Sequence, residues 1–298
     1  IIPLVLSIFN DVMATRININ GNINEEAFVS VFDHGFLFGD SIYEVINTKK
    51  NSPCFLDDHL QRLHRSADGI KLNIPFNDEW FKNQIARTLV EAANQESYIR
   101  IVVTRGIGDI DIDPSSCHSP CVLIIVTSAR AYPLELYETG IHLALVNVKR
   151  NSKDALNPGI KTGNYLNNVL AKIEADHFGA HDALMLNPFG QLTESTTSNF
   201  FFVQDGRVMT PSLDCGILAG ITRDIVIRIA RENGIPLEEG IWPIEILDKA
   251  DEMFLTGTVK HLIPVTRLDG KIIGDGKPGT ITRSLMHFYE RLLEELES

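Results

Sequence analysis

The sequence predicts an α+β protein of two domains, and three observations carry this. Short β-branched runs such as YIRIVVTRG and CVLIIVTSA, bounded by Gly and Pro, read as buried strands. Amphipathic helical stretches fall between strands without a regular βαβ rhythm. One stretch, SARAYPLELYETG, loses all periodicity and carries a Pro, which divides the chain just after residue 127. A length of 298 residues suits one or two domains, and 44 % hydrophobic with 22 % charged residues is the composition of a folded globular chain.

At the start, IIPLVLSIF is apolar but far too short to span a bilayer, and it lacks the basic leader and small-residue cleavage pattern of a signal peptide. MATRININGNI, from Met13, reads as a natural start with a short strand after it, so residues 1–12 are expected to be an upstream extension. Residues 13–127 form the expected small N-terminal domain. In it TRININGNI and SIYEVINTKK alternate as strands, and CFLDDHLQRLHRSADGI follows as a helix. A second helix, EWFKNQIARTLVEAAN, sets Phe81, Ile85, Leu89 and Ala92 at helical spacing before the two β-branched strands.

Residues 128–138 are the expected linker, and 139–298 the larger domain. There IHLALVNVKR is a strand, and a Gly-flanked turn leads into the helix YLNNVLAKIEADHFG. Leu166, Val169, Leu170 and Ile173 fall on one face of that helix, with Gly179 suited to the C′ position. DALMLNPFGQLTE and NFFFVQDGRVMTP are strand pairs around Asn-Pro-Phe-Gly and Asp-Gly turns. The helix TRDIVIRIARENG, the strand EMFLTGT and a last helix with Ile281, Leu285, Phe288, Leu292 and Leu296 on one stripe complete the chain.

Charge narrows the function. With 39 acids against 27 bases the net charge is −12, which argues against a nucleic-acid or anionic-membrane binder, both of which need a dense cationic face. Four cysteines are too sparse for a disulfide framework; they read as reduced thiols, in keeping with the cytoplasm. GDGKPG at 274–279 matches G-x-G-x-x-G literally, but nineteen residues remain after Gly279 and no second strand can follow, so it reads as the turn that starts the last helix.

The turn NPGIKTGNYL holds Lys161 between Gly159 and Gly163, four residues ahead of Tyr165. An exposed lysine, with a pKa of about 10.4, is a poor nucleophile. A lysine packed against a core can be desolvated, which frees the amine for Schiff-base chemistry. Spacing alone favours a surface lysine.

Five ordered segments change that reading: DHGFLFGDSIYEVI…FLDDHLQRLHRSADGI, GIKTGNYLNNVLAKIEA, ALMLNPFGQLTESTTSNFF, GILAGITRDIV and DEMFLTGTVKHLIPV. Together they resemble the fold type IV pyridoxal-phosphate enzymes, the class-IV aminotransferases, from about residue 15 to the C-terminus. That family includes branched-chain and D-amino acid aminotransferases, (R)-amine transaminases and aminodeoxychorismate lyases. The resemblance implies a small N-terminal domain and a larger pseudo-barrel domain, an active site between them, and a homodimer or higher homo-oligomer that completes it. It also implies pyridoxal 5'-phosphate as cofactor.

Residue by residue, the resemblance makes Lys161 the catalytic lysine, which attaches the cofactor and shuttles the Cα proton. Glu194 becomes the carboxylate facing the pyridine nitrogen, Tyr165 the donor to the phenolic oxygen, and Leu218 the packing against the ring. Gly220, Ile221 and Thr222 would offer a helix N-terminus to the phosphate, with Arg62 a planar fork and Thr258 a hydroxyl. The sequence has no H-E-x-x-H and no carboxylate–His set with zinc spacing, so no catalytic metal is expected, and His34, His59 and His64 read as helix and turn positions. Arg65 reads as a surface residue.

The substrate pocket implied is Tyr43, Val45, Asn47, Arg100 and Gly257. Branched-chain enzymes usually continue as F-E-G-I-R, and D-amino acid enzymes often as Y-E-V-V-K. This chain's Tyr-x-Val resembles the D-amino acid and (R)-amine groups, while Asn47 lacks the positive charge common in the D-amino acid group. Arg100, two residues after Tyr98, resembles the branched-chain pattern. Losing a buried arginine–carboxylate contact costs about 2–5 kcal/mol, so one such contact can switch specificity. The expectation is a transaminase passing an amino group from branched-chain amino acids to a 2-oxo acid such as 2-oxoglutarate. The alternatives are an (R)-amine or D-amino acid transaminase, a lyase, or a non-catalytic binding protein on the same fold.

Overall fold

The computed structural model describes residues 15–295; the expected extension over 1–12, the start at Met13 and Leu296 fall outside them. The chain divides into two units, the first holding residues to Arg130 together with Lys161–Asn164, the second Ala131–Ile160 and Tyr165 onward. The sequence places Lys161 in the larger domain, yet its backbone belongs to the smaller unit. The reason is hydrogen bonding rather than side-chain pattern, as the site shows below.

In the first unit, β1 (Arg16–Ile19) and β2 (Asn22–Asn24) form a hairpin, followed by the short helix α1 (His34–Phe38), β3 (Ser41–Lys49) and β4 (Ser52–Pro53). The helices α2 (Leu56–Gly69) and α3 (Asp78–Ala92) precede β5 (Ser97–Thr104) and β6 (Cys121–Ser128). The six strands make an antiparallel sheet in the order β2-β1-β6-β5-β3-β4. One sheet face carries Ile42, Ile46, Ile99, Ile101 and Val103 against Leu60 and Leu63 of α2 and the Phe81, Ile85 and Leu89 stripe of α3, all buried. Alternation along β3 and β5 therefore leaves the opposite face for other residues.

The second unit opens with α4 (Glu135–Thr139), inside the stretch expected to be linker. Its Tyr137 hydroxyl donates to the Lys260 carbonyl at 3.0 Å and its apolar side chains pack on that unit's core, so the stretch has structure the lost periodicity did not show. Then come β7 (Ile141–Leu145), α5 (Leu166–His177), β8 (Asp182–Leu186), β9 (Leu192–Ser195), β10 (Asn199–Gln204) and β11 (Arg207–Pro211). After them follow α6 (Ile221–Glu232), β12 (Leu237–Gly240), β13 (Glu252–Gly257), β14 (His261–Leu268), β15 (Lys271–Ile272) and α7 (Thr280–Glu295). Pairing runs β10-β13-β14-β7-β8-β9, and β9 returns to β10, closing six strands into a barrel.

Two helices turn a different face inward from the one their apolar residues suggest. In α5 the buried positions are Asn168, Ala171 and Ala175, against Ala144, Ala183 and Met185. Leu166, Val169, Leu170 and Ile173 lie outward, 68, 47, 48 and 60 % exposed. Both faces satisfy helical spacing, and the small one wins because alanine lets the helix approach the strands closely. In α7 the buried face is Thr282, Leu285, Tyr289 and Leu293, a position round from the expected stripe for Phe288 and Leu292. Thr282 is drawn in because Glu252 accepts from its amide and its hydroxyl, each at 2.7 Å, and from the Ile281 amide at 3.0 Å. The helix N-terminus beyond GDGKPG is thus capped by the protein's own carboxylate, with Gly274 and Gly276 turning the chain at positive φ.

Candidate active site

In the first unit, strand alternation gathers one group of candidate residues. On β3, Ile42, Glu44 and Ile46 face the core, so Tyr43, Val45 and Asn47 share the other face; across the ladder Val45 opposes Arg100 and Asn47 opposes Tyr98. Arg100 lies diagonally from Tyr43, and its guanidinium carbon sits 4.1 Å from the tyrosine ring centroid. Lys161 Nζ lies 4.4 Å from the same centroid. One ring thus serves two cations by its negative face.

Lys161 is held there by backbone. Its carbonyl accepts from the Tyr43 amide at 3.0 Å, its amide donates to Ser66 Oγ at 3.2 Å, and the Gly163 amide donates to the Ser41 carbonyl at 2.8 Å. A Cβ at Gly163 would stand 2.3 Å from Ser41 Oγ, so only glycine lets this segment lie flush against β3.

On the core face, Glu44 is fully buried and accepts from Arg62 twice, Nε to Oε1 at 2.7 Å and Nη2 to Oε2 at 2.8 Å, and from His59 Nδ1 at 2.7 Å. Burial alone would push this carboxyl up; the Arg62 charge and hydrogen bonds, then His59, outweigh it and hold it at about 2. Burial pushes the His59 imidazole below its ordinary 6.5, partly offset by Glu44. Sequence reasoning assigned Arg62 but missed Glu44, although a carboxylate on the core side of an Ile-x-Glu-x-Ile alternation signals a buried partner. The other two histidines of the N-terminal segment have protein partners: His64 Nε2 meets Asp78 at 2.7 Å and His34 Nε2 meets the Asp109 carbonyl at 2.9 Å. Arg65 donates to Gln61 at the surface. The cysteines are free, and burial pushes the thiols of Cys117, Cys121 and Cys215 up, away from the thiolate form.

In the second unit, another group lies around the barrel's closure. Glu194, buried at the end of β9, accepts at Oε1 from Arg150 Nε at 3.0 Å, and at Oε2 from Asn199 Nδ2 and the Leu218 amide, both at 3.1 Å. Asn199 also donates to the Leu218 carbonyl at 2.9 Å. The Leu218 loop runs into α6, whose N-cap Gly220 supplies no side-chain cap, so the first-turn amides of Ile221 and Thr222 face a natural anion position. A Cβ at Gly220 would fall 1.9 Å from Asn199 Oδ1. Thr258 lies half-buried in the turn between β13 and β14, and Tyr165, half-buried, stands just ahead of α5.

These residues suit a phosphate-bearing cofactor on two observations of the chain itself. Ser198 Oγ and Thr256 Oγ1 are buried hydroxyls without a hydrogen-bond partner beside the Thr-Gly-Thr turn. The Cβ position that glycine leaves open at Gly257 is 3.1 Å from Ser198 Oγ. Arg150, Asn199 and Ser198 were missed from sequence; Arg150 meets a carboxylate 44 positions away, which no local pattern marks.

Comparison with known proteins agrees with this chemistry. The family model for Amino-transferase class IV matches residues 41–268. A Methanocaldococcus jannaschii protein provisionally named a branched-chain-amino-acid aminotransferase is 40 % identical over 272 residues, spanning 91 % of this chain and 93 % of that protein. D-alanine aminotransferase of Listeria monocytogenes is 32 % identical over 268 residues, spanning 89 % and 91 %. The T.th. branched-chain amino acid aminotransferase, solved with pyridoxamine 5'-phosphate, superposes with a TM-score of 0.89 at 31 % identity over 93 % of each chain. The fold and the cofactor chemistry define a pyridoxal-phosphate-dependent aminotransferase. The chain belongs to the class IV aminotransferases, of fold type IV, in the group that holds the branched-chain and D-amino acid enzymes.

Two outcomes follow. Glu44→Gln should cost about 3 kcal/mol of stability at pH 7, because it leaves a buried guanidinium without its counter-charge. The wild-type carboxyl titrates lower when folded than its ordinary 4.5, so its contribution is complete above about pH 4.5 and fades as pH falls to about 2. The depressed His59 removes stability earlier, as pH drops below about 6.5. Thermal melts across pH 2.5–7 should therefore show the Gln variant losing less between pH 4.5 and 2.5 than the wild type. Gly220→Ala should displace Asn199 and lower pyridoxal-phosphate affinity by at least about tenfold, checked by titrating the apoprotein.

Proposed function

We propose that the protein is a transaminase of amino acids, with branched-chain donors and a 2-oxo acid such as 2-oxoglutarate as acceptor. The observation that carries this is the shared ring of Tyr43: Arg100 and Lys161 lie against one tyrosine, so the guanidinium and the amine are separated by no more than the sum of their two distances to it. A fixed cation beside the reactive amine suits a donor that carries a carboxylate, and gives a simple amine nothing to pair with. Relatives support the donor class: the T.th. enzyme has been solved with N-(5'-phosphopyridoxyl)-L-glutamate and with 4-methylvaleric acid, a leucine-shaped carboxylate.

When bound, pyridoxal phosphate supplies the electron sink that makes the amino group transferable. Lys161 Nζ would hold the cofactor, take the proton from the donor's Cα and return it in the opposite half-reaction, so that the two substrates react in turn. Glu194 would be the fixed anion for the pyridine nitrogen, and Tyr165 would donate to the phenolic oxygen. The Ile221 and Thr222 amides, the Thr222 and Thr258 hydroxyls and the planar fork of Arg62 would hold the phosphate. Leu218 and Gly220 shape the floor, and Val45, Asn47 and Gly257 line the side-chain pocket. The four free thiols suit a reducing, cytoplasmic setting.

The working form is a homodimer. An outward row of Leu166, Val169, Leu170 and Ile173 is an apolar helix face of the kind a second copy covers.

L-leucine, D-alanine and (R)-1-phenylethylamine, added singly to the loaded protein without acceptor, separate the readings by the change in the cofactor's visible band. L-leucine alone should convert it, and Lys161→Ala should abolish conversion. Conversion by D-alanine or by the amine in place of L-leucine would overturn the donor assignment. Light scattering is expected to give a two-chain mass that Leu170→Asp with Ile173→Asp lowers to one; a one-chain wild type would refute the dimer.

A further inference from the structure

Glu194 is gripped from both sides. Arg150, five residues past the end of β7, reaches Oε1 with Nε at 3.0 Å, and both side chains are more than nine-tenths buried. Its far side is tied as well. Nη1 donates to Asn167 Oδ1 at 3.2 Å, with Asn168 Oδ1 further off at 3.5 Å, both in the first turn of α5. Each asparagine is anchored at its other end: Asn167 Nδ2 donates to the Lys149 carbonyl at 2.7 Å, and Asn168 Nδ2 to the Thr196 carbonyl at 2.6 Å. With Asn199 and the Leu218 amide on Oε2, both oxygens of the carboxylate have donors and its plane is set.

A neutral donor at position 150 would fix the orientation of Glu194 but not its charge. A guanidinium fixes both, because it does not release its proton and its fork holds two acceptors at once. A charged carboxylate in a buried turn is sustained only with such a partner. We propose that Arg150 is a positioning residue: acting through Glu194, it keeps that carboxylate charged and in one orientation for the pyridine nitrogen of the cofactor, and ties it to the start of α5. This rests on the reading of Glu194 as the pyridine carboxylate.

The test compares Arg150→Lys, Arg150→Gln and Arg150→Met as purified apoproteins, by titration with pyridoxal 5'-phosphate, by the absorbance of the loaded forms and by thermal melting. Gln and Met should each weaken cofactor binding by about 10–100-fold, the scale on which partners behind a ligating side chain act, and shift the visible band. Lys, which keeps the charge, should recover most of the affinity. Wild-type affinity and band in Gln or Met would overturn the proposal. So would a lowered melting temperature with unchanged affinity, which makes Arg150 a structural tie to α5, and so would a Lys variant no better than Gln, which removes charge from the account. Should Met fail to fold, Lys against Gln decides. Wild-type apoprotein without affinity for pyridoxal 5'-phosphate would overturn the underlying reading of the site, and this proposal with it.

Discussion

The barrel of the second unit closes where Asn199 pairs with Glu194, and much of the rest depends on that closure. A carboxylate is an awkward residue for a barrel seam. It must be buried there, and a buried charge without partners is costly enough to undo the seam. The chain answers with a guanidinium, a side-chain amide and a backbone amide on the two oxygens. Those donors come from the chain after β7, from β10 and from the loop before α6, so satisfying one charge fixes three segments at once. The glycine at 220 belongs to the same constraint, since any side chain there would occupy the place of Asn199 Oδ1.

The first unit solves the same problem on the core side of its sheet. Glu44 would be untenable among Ile42, Ile46, Leu60 and Leu63 without Arg62 and His59. Arg62 and His59 stand three apart on α2, one turn, so the helix presents both to one carboxylate. The pair sets the rotation of α2 against β3, and with it the direction of the arginine assigned to the phosphate. A hydrophobic replacement could be as stable; what the ion pair adds is a single geometry.

How much of this was legible in the sequence depends on whether the information is local. The strand pairs around Asn-Pro-Phe-Gly and Asp-Gly, the helices α2, α3, α5 and α6, and the family segments are written in short-range pattern, and they stand in the structure. Helix orientation is less local. The larger apolar row of α5 was the natural candidate for the core, but the space beneath the helix admits alanine and an asparagine with work to do, and Leu166 and Ile173 were left outside. The return of Lys161–Asn164 to the first unit was illegible, because it is made largely by backbone hydrogen bonds to Ser41 and Tyr43, and Gly163, which lets the segment lie close, reads in the sequence only as part of a turn. Glu44 could have been found from alternation; Arg150 could not.

The register of β3 ties these facts together. Side chains alternate with a period of two, so one strand delivers Glu44 to the helix side and Tyr43, Val45 and Asn47 to the other. A slip of one residue would place a carboxylate against Lys161 and a tyrosine against Arg62. Pairing with β5 from Ser41 to Asn47 forbids the slip along its whole length, and the Tyr43 amide is spent on the Lys161 carbonyl, so the lysine is registered to the same strand. The ring that receives Lys161 and Arg100 and the ion pair that orients Arg62 are therefore not separate achievements. Both follow from seven paired residues whose hydrophobic half has no other face to choose.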